Sequence, residues 1–303
     1  MRALARFVMS GRLPAIGLAA ASLLLSLPLP PLSSPLAYVS GGIVALVSLS
    51  QSLLESLGVL VGAAILTALA ASLIFTTTVP VVGAALILWV PVLCGARILR
   101  ASNDLPATLL VLTLLAVLLV AVLHLLFGDT GAWWEERLNP VLKPALENQG
   151  LDSSIVGQIA PWVTGLLATA LLVGIVLSLL LGRWWQAVVF NRGSFGEEFR
   201  RLQFGRIMAG VTLLIWAATG VPDLPWHSGF RDIGMVLVVP FVLAGLAVLH
   251  GLVHSLGLHK GWLVAVYAMM IVASPAVELL LAFLGLADSW LNIRQRVSNK
   301  GAS

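Results

Sequence analysis

Ionisable side chains set inside long apolar runs are the residues of this chain best suited to chemistry. His250 and His254 stand four apart in the run 233–257. On a helix they share a face, a spacing that can ligate a metal ion or relay a proton. Glu278 lies in the next run, and a carboxylate at membrane depth is costly enough to be read first as functional. These three residues form a candidate intramembrane polar site. The plainer reading is that the imidazoles hydrogen-bond a neighbouring helix, with His254 close to the boundary at His259 and Lys260. Counting from the turn at 257–261, His250 falls about 15 Å deep and Glu278 about 25 Å. The two therefore meet only if the helix breaks at Pro275, and His250, the deeper histidine, is expected to need a polar neighbour. Glu55 and His124, beside turns, are expected to reach headgroups or water. No HExxH, GxSxG, GxxxxGK[ST] or CxxC pattern occurs, so no catalytic residue, cofactor or metal is assigned.

A second constellation lies at 183–206, RWWQAVVFNRGSFGEEFRRLQFGR, which carries five arginines and two glutamates between long apolar runs. Ser194 followed by Glu197 is a capping-box pattern that predicts a helix start. Phe195, Phe199 and Leu202 share one face of that helix, while Glu197, Glu198, Arg200 and Arg201 form opposite-charge pairs on the other. This pattern predicts an interfacial amphipathic helix on the cytoplasmic side, with Trp184 and Trp185 just before it at headgroup depth. Arg183, Trp184, Trp185, Phe195, Glu198, Phe199 and Arg200 are the candidate docking residues for a cytoplasmic protein. The plainer reading of the segment, and the one general behaviour favours, is a solvated amphipathic connector with ordinary basic anchors.

The elements that must position these residues are membrane helices. Of 303 residues 59% are hydrophobic and 10% charged, with mean hydropathy +1.03, which excludes a soluble domain. The net charge of +4 sits beside the apolar runs, as the positive-inside rule requires, and gives no case for nucleic acid. Cys94, the single cysteine, can form no internal disulfide, and core packing is its expected role.

No charge occurs from Leu13 to Leu54 or from Ser56 to Ala96. Each stretch is about twice the ~20 residues that cross a bilayer, so each must turn: the first at Pro28, Pro30, Pro31 and Pro35, the second at Thr76, Thr77, Thr78 and Pro80. Spans are predicted at 10–27, 36–52, 54–75, 80–98, 105–127 and 159–181, and further apolar runs at 207–222, 233–257 and 261–287. Between the fifth and sixth spans, 128–158 holds five acidic and two basic residues, which places it on the non-cytoplasmic side. Trp133 and Trp134 there are read as interfacial anchors, and Leu138, Val141 and Leu142 hint at a short surface helix. The fold class is all-α, a polytopic bundle of eight or nine transmembrane helices plus the interfacial helix. The organisation is an N-terminal bundle 1–127, the acidic loop 128–158 and a C-terminal bundle 159–303. With the N-terminus inside, nine crossings would leave Arg294, Arg296 and Lys300 outside, against the charge rule. Eight crossings, through a short or re-entrant 207–222 or a break at Ser274–Pro275, keep both termini inside.

Four segments together carry a resemblance: RWW at 183–185, the run of Asn191, Gly193 and Phe195 leading to Glu198–Phe199–Arg200, GLAVLH at 245–250 and LGLADSWLNIRQR at 284–296. They resemble the YybS-like membrane proteins, a bacterial family of unknown function. That family is distantly similar, mainly in its N-terminal half, to the substrate-binding S components of energy-coupling-factor transporters. The Pro-rich turn at 28–35 and the small residues Gly58, Gly62, Ala63 and Ala64 fit that likeness. The resemblance implies a transport component of the bacterial inner membrane that binds a small solute in its first six spans. The alternative from the residues is a non-transporting scaffold that recruits a cytoplasmic partner through 183–206. The lipid bilayer is the partner common to both.

Overall fold

Residues 2–27, 35–73, 78–191, 193–294 and 296 are described by a computed structural model, and all regular structure among them is helical. In order the helices are α1 Arg2–Val8, α2 Arg12–Ser26, α3 Pro35–Ser50, α4 Leu53–Ser72, α5 Val79–Ser102, α6 Leu105–Phe127, α7 Thr130–Asn148, α8 Ile155–Ile159, α9 Val163–Phe190, α10 Ser194–Arg200, α11 Arg206–Thr219, α12 His227–Ser255, α13 Gly261–Val272 and α14 Ala276–Leu291. A 3-10 turn, Ala160–Trp162, joins α8 to α9. Five stretches are long and apolar enough to cross a membrane: α4, α5, α6, Ile155–Phe190 and α12. Helices α1 and α2, bent by 118°, make a sixth if taken as one span. Helices α3, α11 and α13 have 16, 14 and 12 residues, or about 24, 21 and 18 Å, against a hydrocarbon core of about 30 Å. The expected turns at Pro28, Pro30 and Pro31 and at Thr76 and Thr77 lie outside the described residues, as does Lys300.

The helices form two compact units, 1–112 with 170–201 and 113–169 with 202–303, so α6 and α9 each contribute to both. In the first unit α3 is the core helix, buried at every position from Ser40 to Leu49. Close backbone approach makes this possible. A Cβ on Gly41 or Gly42 would collide with Ser178 or Leu181 of α9, and one on Gly182 with the backbone of α3, the small-residue packing expected between membrane helices. The indole of Trp89 donates to Ser40 Oγ at 3.0 Å, and Ser40 Oγ donates to the Ala19 carbonyl at 2.7 Å, tying α5, α3 and α2 through a buried polar link. Carbonyls at and just past the C-terminus of α3 have side-chain donors. Arg97 donates to Ser48 and Gln51, Arg100 to Gln51, and Gln186 to Leu49. Arg97 and Arg100, at and just past the end of the predicted span 80–98, thus satisfy the orphan carbonyls of a buried helix.

The arginine-rich segment departs from expectation in three ways. Helix α9 does not stop near 181 but runs on to Phe190, because Arg183 is paired with Glu198 at 2.9 Å and donates to Gln186 at 2.7 Å. Trp185 is therefore 1% exposed inside the protein rather than at headgroup depth, and Trp184 is half-buried. The capping box does not form. Gly193 turns the chain at φ 92° and Ser194 Oγ donates to the Asn191 carbonyl. What does hold is the face. Phe195 and Phe199 stack with ring centroids 6.0 Å apart and are half-buried, Arg200 is half-buried, Glu197 and Arg201 are exposed, and Leu202, past the helix end, is fully buried.

In the second unit the acidic segment 128–158 folds largely as α7, a longer helix than the sequence suggests. Asp129 caps it by accepting from the Ala132 amide at 3.1 Å. Trp134 donates to Thr164 Oγ1 at 2.9 Å, and the Arg137 guanidinium lies 3.7 Å over the Trp133 ring. Beyond α7, the hydroxyl and then the amide of Ser154 donate to Asp152 and hold its carboxyl below the usual carboxylate range. Helices α12 and α14 run side by side in the same direction. Gly245 meets the Leu281 backbone, Gly285 meets the Phe241 carbonyl, and Gly251 faces Arg294. Helix α13 breaks from α14 at 273–275 and its Tyr267 reaches back to His250, so α13 and α14 form an out-and-back pair. The end of α14 is fastened to the segment before α11. Gln203 donates to the Asp288 carbonyl at 2.8 Å, and Arg294 donates to the Leu202 carbonyl at 3.0 Å and pairs with Asp288 at 2.7 Å.

Candidate functional site

An interior cluster of ionisable side chains in the second unit is built by α6, α9 and α12. Helix α12 starts at His227, six residues before the apolar run begins. This brings Arg231 and Asp232 inside the helix rather than at its edge. Asp232 is 0% exposed and His124, near the end of α6, is 4% exposed. His124 Nε2 lies 2.9 Å from Asp232 Oδ2. The expectation that His124 reaches headgroups or water is therefore incorrect, since a carboxylate 108 positions away covers it. Gly165 lets α9 close over the pair, because a Cβ there would meet Asp232 Oδ1 at 2.9 Å and the Asp232 Cα at 3.0 Å. Any larger residue would displace backbone as well as the carboxylate.

Arg231 connects this pair to an open cleft. Its Nε faces Asp232 Oδ1 at 3.4 Å, an Nη donates to the Pro161 carbonyl, and its guanidinium carbon stands 4.5 Å over the Trp162 ring. The cleft measures about 530 Å³ and is lined by Trp162, Trp216, Thr219, His227, Arg231, Gly234, Met235, Val238 and Leu279. Trp216 is fixed by its indole, which donates to the Gly234 carbonyl at 3.0 Å, and by edge-to-face contact with Phe283 at 5.4 Å. The volume is that of a small-molecule pocket. Its lining combines an oriented cation, a histidine and aromatic and apolar walls.

Family models, curated proteins and solved structures give no match to this chain. The site must therefore be read from its own residues.

The residues singled out from the sequence lie elsewhere. His250 is half-buried, with Nδ1 2.8 Å from the Leu246 carbonyl and Nε2 3.5 Å from the Tyr267 hydroxyl, so it has the polar neighbours it was expected to need. His254 is exposed. Glu278 accepts from Ser274 Oγ at 2.9 Å, one turn back across the α13–α14 break. No group of three or more His, Cys, Asp or Glu that could hold a metal ion occurs among the described residues. Glu55 pairs with Arg12 in a half-exposed setting. Arg231 and Asp232 were missed because adjacent charges next to an apolar run read as its boundary. The available signal was one histidine and one carboxylate at the ends of two different apolar runs, where a buried pair is possible but not specified.

Proposed function

We propose that the chain is a multi-spanning transport component of the bacterial inner membrane that binds a small solute in the cleft beside Arg231. What supports this reading is the buried charge behind the cleft. Apolar side chains of similar size in place of a buried hydrogen-bonded pair are often nearly neutral or stabilising, so shape alone does not call for Asp232 and His124. Ionisable groups kept at membrane depth default to solute or ion recognition. The resemblance to the YybS-like proteins and, more distantly, to vitamin-binding S components points the same way, although the cleft belongs to the C-terminal half of the chain. Native mass spectrometry of protein released from nanodiscs should detect a bound small molecule that the Trp216→Ala variant loses. Identical spectra for the two proteins would sink the reading.

The proposed topology has both termini and 183–206 in the cytoplasm and 128–158 outside. Helices α2 to α6, α9, α11 and α12 account for eight crossings, and α13 with α14 goes out and back. The contacts of Arg294 and Gln203 with the 202–203 segment and the C-terminal turn support this parity, which keeps Arg294 and Arg296 on the positive side. In a Cys94→Ala background, cysteines at Asn191 and Lys300 should resist an impermeant thiol reagent in intact cells while one at Asn148 reacts. Equal labelling of the three would refute the arrangement.

A scaffold remains the second reading, favoured by one observation in the first unit. A groove of about 530 Å³ is lined by Asp104, Arg183, Ser194, Glu197, Glu198 and Arg201 among others, and so offers both signs of charge to a cytoplasmic protein.

A further inference from the structure

We infer that the cleft selects an amphipathic anion, a single carboxylate or phosphate group carried on an aromatic or apolar body. This deepens the solute-binding reading and rests on it. Among the described residues the ionisable side chains in the lining are Arg231 and His227, and no carboxylate joins them there. Asp232, which contacts Arg231, is fully buried. A cationic solute would meet repulsion with no counter-charge, and a neutral one would leave the guanidinium unused.

Arg231 is prepared for this task. Of the five N–H donors of a guanidinium, one faces Asp232 and one is taken by the Pro161 carbonyl, and the rest of the fork has no protein partner among the described residues. The Asp232 contact, at 3.4 Å, is longer than the ~2.7–2.9 Å of a full charge-assisted bond, because the carboxylate gives its closer oxygen to His124. Asp232 therefore orients the arginine without using up its charge. Stacking on Trp162 fixes the guanidinium plane, so little rotamer entropy is lost when an oxyanion docks against two parallel N–H groups. His227 Nδ1 is directed at the Val221 carbonyl at 3.2 Å, which leaves Nε2 as its free polar atom. The rest of the lining suits the apolar body. Trp216 is held by its indole and by Phe283, and Met235, Val238 and Leu279 continue the wall.

Such an anion could come from the aqueous side or from the bilayer as a lipid with a phosphate headgroup, and the test separates the two. Protein in phosphatidylcholine nanodiscs is titrated with 1-naphthoate and with its neutral match 1-naphthamide, following quenching of tryptophan fluorescence. Naphthoate should bind about tenfold to hundredfold more tightly, the discrimination expected of one charge-assisted contact. Arg231→Gln should bring the two affinities together, and a ligand-free tryptophan emission spectrum matching the wild type shows that the variant is folded. Arg231→Lys, which keeps the charge but loses the fork, should retain only part of the preference. Displacement of naphthoate by phosphatidic acid added to the nanodisc would support the class and assign it to the bilayer; no displacement would support the class and assign it to the aqueous phase. Equal affinities in the wild type, a preference that survives Arg231→Gln, or failure of both probes to bind would overturn the inference. The transport reading is judged separately, by the native solute and its loss in Trp216→Ala.

Discussion

Asp232→Ala should lower the unfolding free energy of the detergent-solubilised protein by about 3–5 kcal/mol, the usual cost of breaking a buried pair by removing one partner. The side chains of His124 and Asp232 are 2% and 0% exposed. Removing the carboxylate leaves the imidazole facing a cavity and takes from Arg231 the anionic neighbour it has among the described residues. Arg12 and Glu55 are also an ion pair by distance, but their side chains are 58% and 35% exposed. Water and salt already screen them, so Glu55→Ala should cost only about 0.2–1 kcal/mol. The double variant His124→Ala/Asp232→Ala should cost less than the sum of its single variants by about 0.5–3 kcal/mol, the coupling typical of residues in direct contact. Titration with sodium dodecyl sulfate, following tryptophan fluorescence, measures the wild type and the four variants. Similar losses for Asp232→Ala and Glu55→Ala would mean that the interior pair is solvated and that Arg231 is not held by it.

The same pair shows what sequence reading reaches and where it stops. Run length and apolarity locate nearly every helix. Span 105–127 coincides with α6, the runs 207–222 and 233–257 fall on α11 and α12, and the suspected break at Ser274–Pro275 separates α13 from α14. The errors share one cause. A charge beside an apolar run reads as the point where the chain leaves the membrane, because an unpaired charge there is costly. Pairing removes that cost. Arg183 finds Glu198, so α9 continues to Phe190; Asp232 finds His124, so α12 begins at His227. Apolar run length reports how much of a helix can face lipid, whereas helix length also depends on partners as distant in the chain as His124 is from Asp232. The local cap at Ser194 failed for a related reason, since a glycine in the left-handed region at 193 sets the turn and the hydroxyl has a nearer acceptor. The candidate site is legible in the sequence only as separate pieces: His124 stands out as an ionisable residue at the end of an apolar run, expected to reach headgroups or water, but its acid and the cleft are products of tertiary packing.

Gly285→Ala should disrupt the α12–α14 pair, whereas Gly83→Ala should stabilise α5. A Cβ built on Gly285 falls inside the contact distance of the Phe241 carbonyl oxygen, 2.8 Å from the Gly245 amide nitrogen and 2.9 Å from the Ala244 methyl. Two of these three obstacles are backbone of a buried helix, and across the same crossing Gly245 meets the backbone of Leu281. A flexible side chain could swing aside, but here one whole helix must move, so the cost belongs at or above the top of the ~1–3 kcal/mol range for overpacking. The displacement would also pull on Gln203 and Arg294, which fasten the end of α14. Gly83 has no atom within 4 Å of an added Cβ, so only the backbone entropy matters there, and alanine should gain up to about 1 kcal/mol. The two substitutions are chemically identical and both lie within helices, so propensity alone predicts the same sign for both. Opposite signs in unfolding titrations would establish that Gly245 and Gly285, within the GLAVLH and LGLADSW segments, serve direct backbone contact between α12 and α14. A stabilising Gly285→Ala would show instead that the two helices lie farther apart than their glycines require.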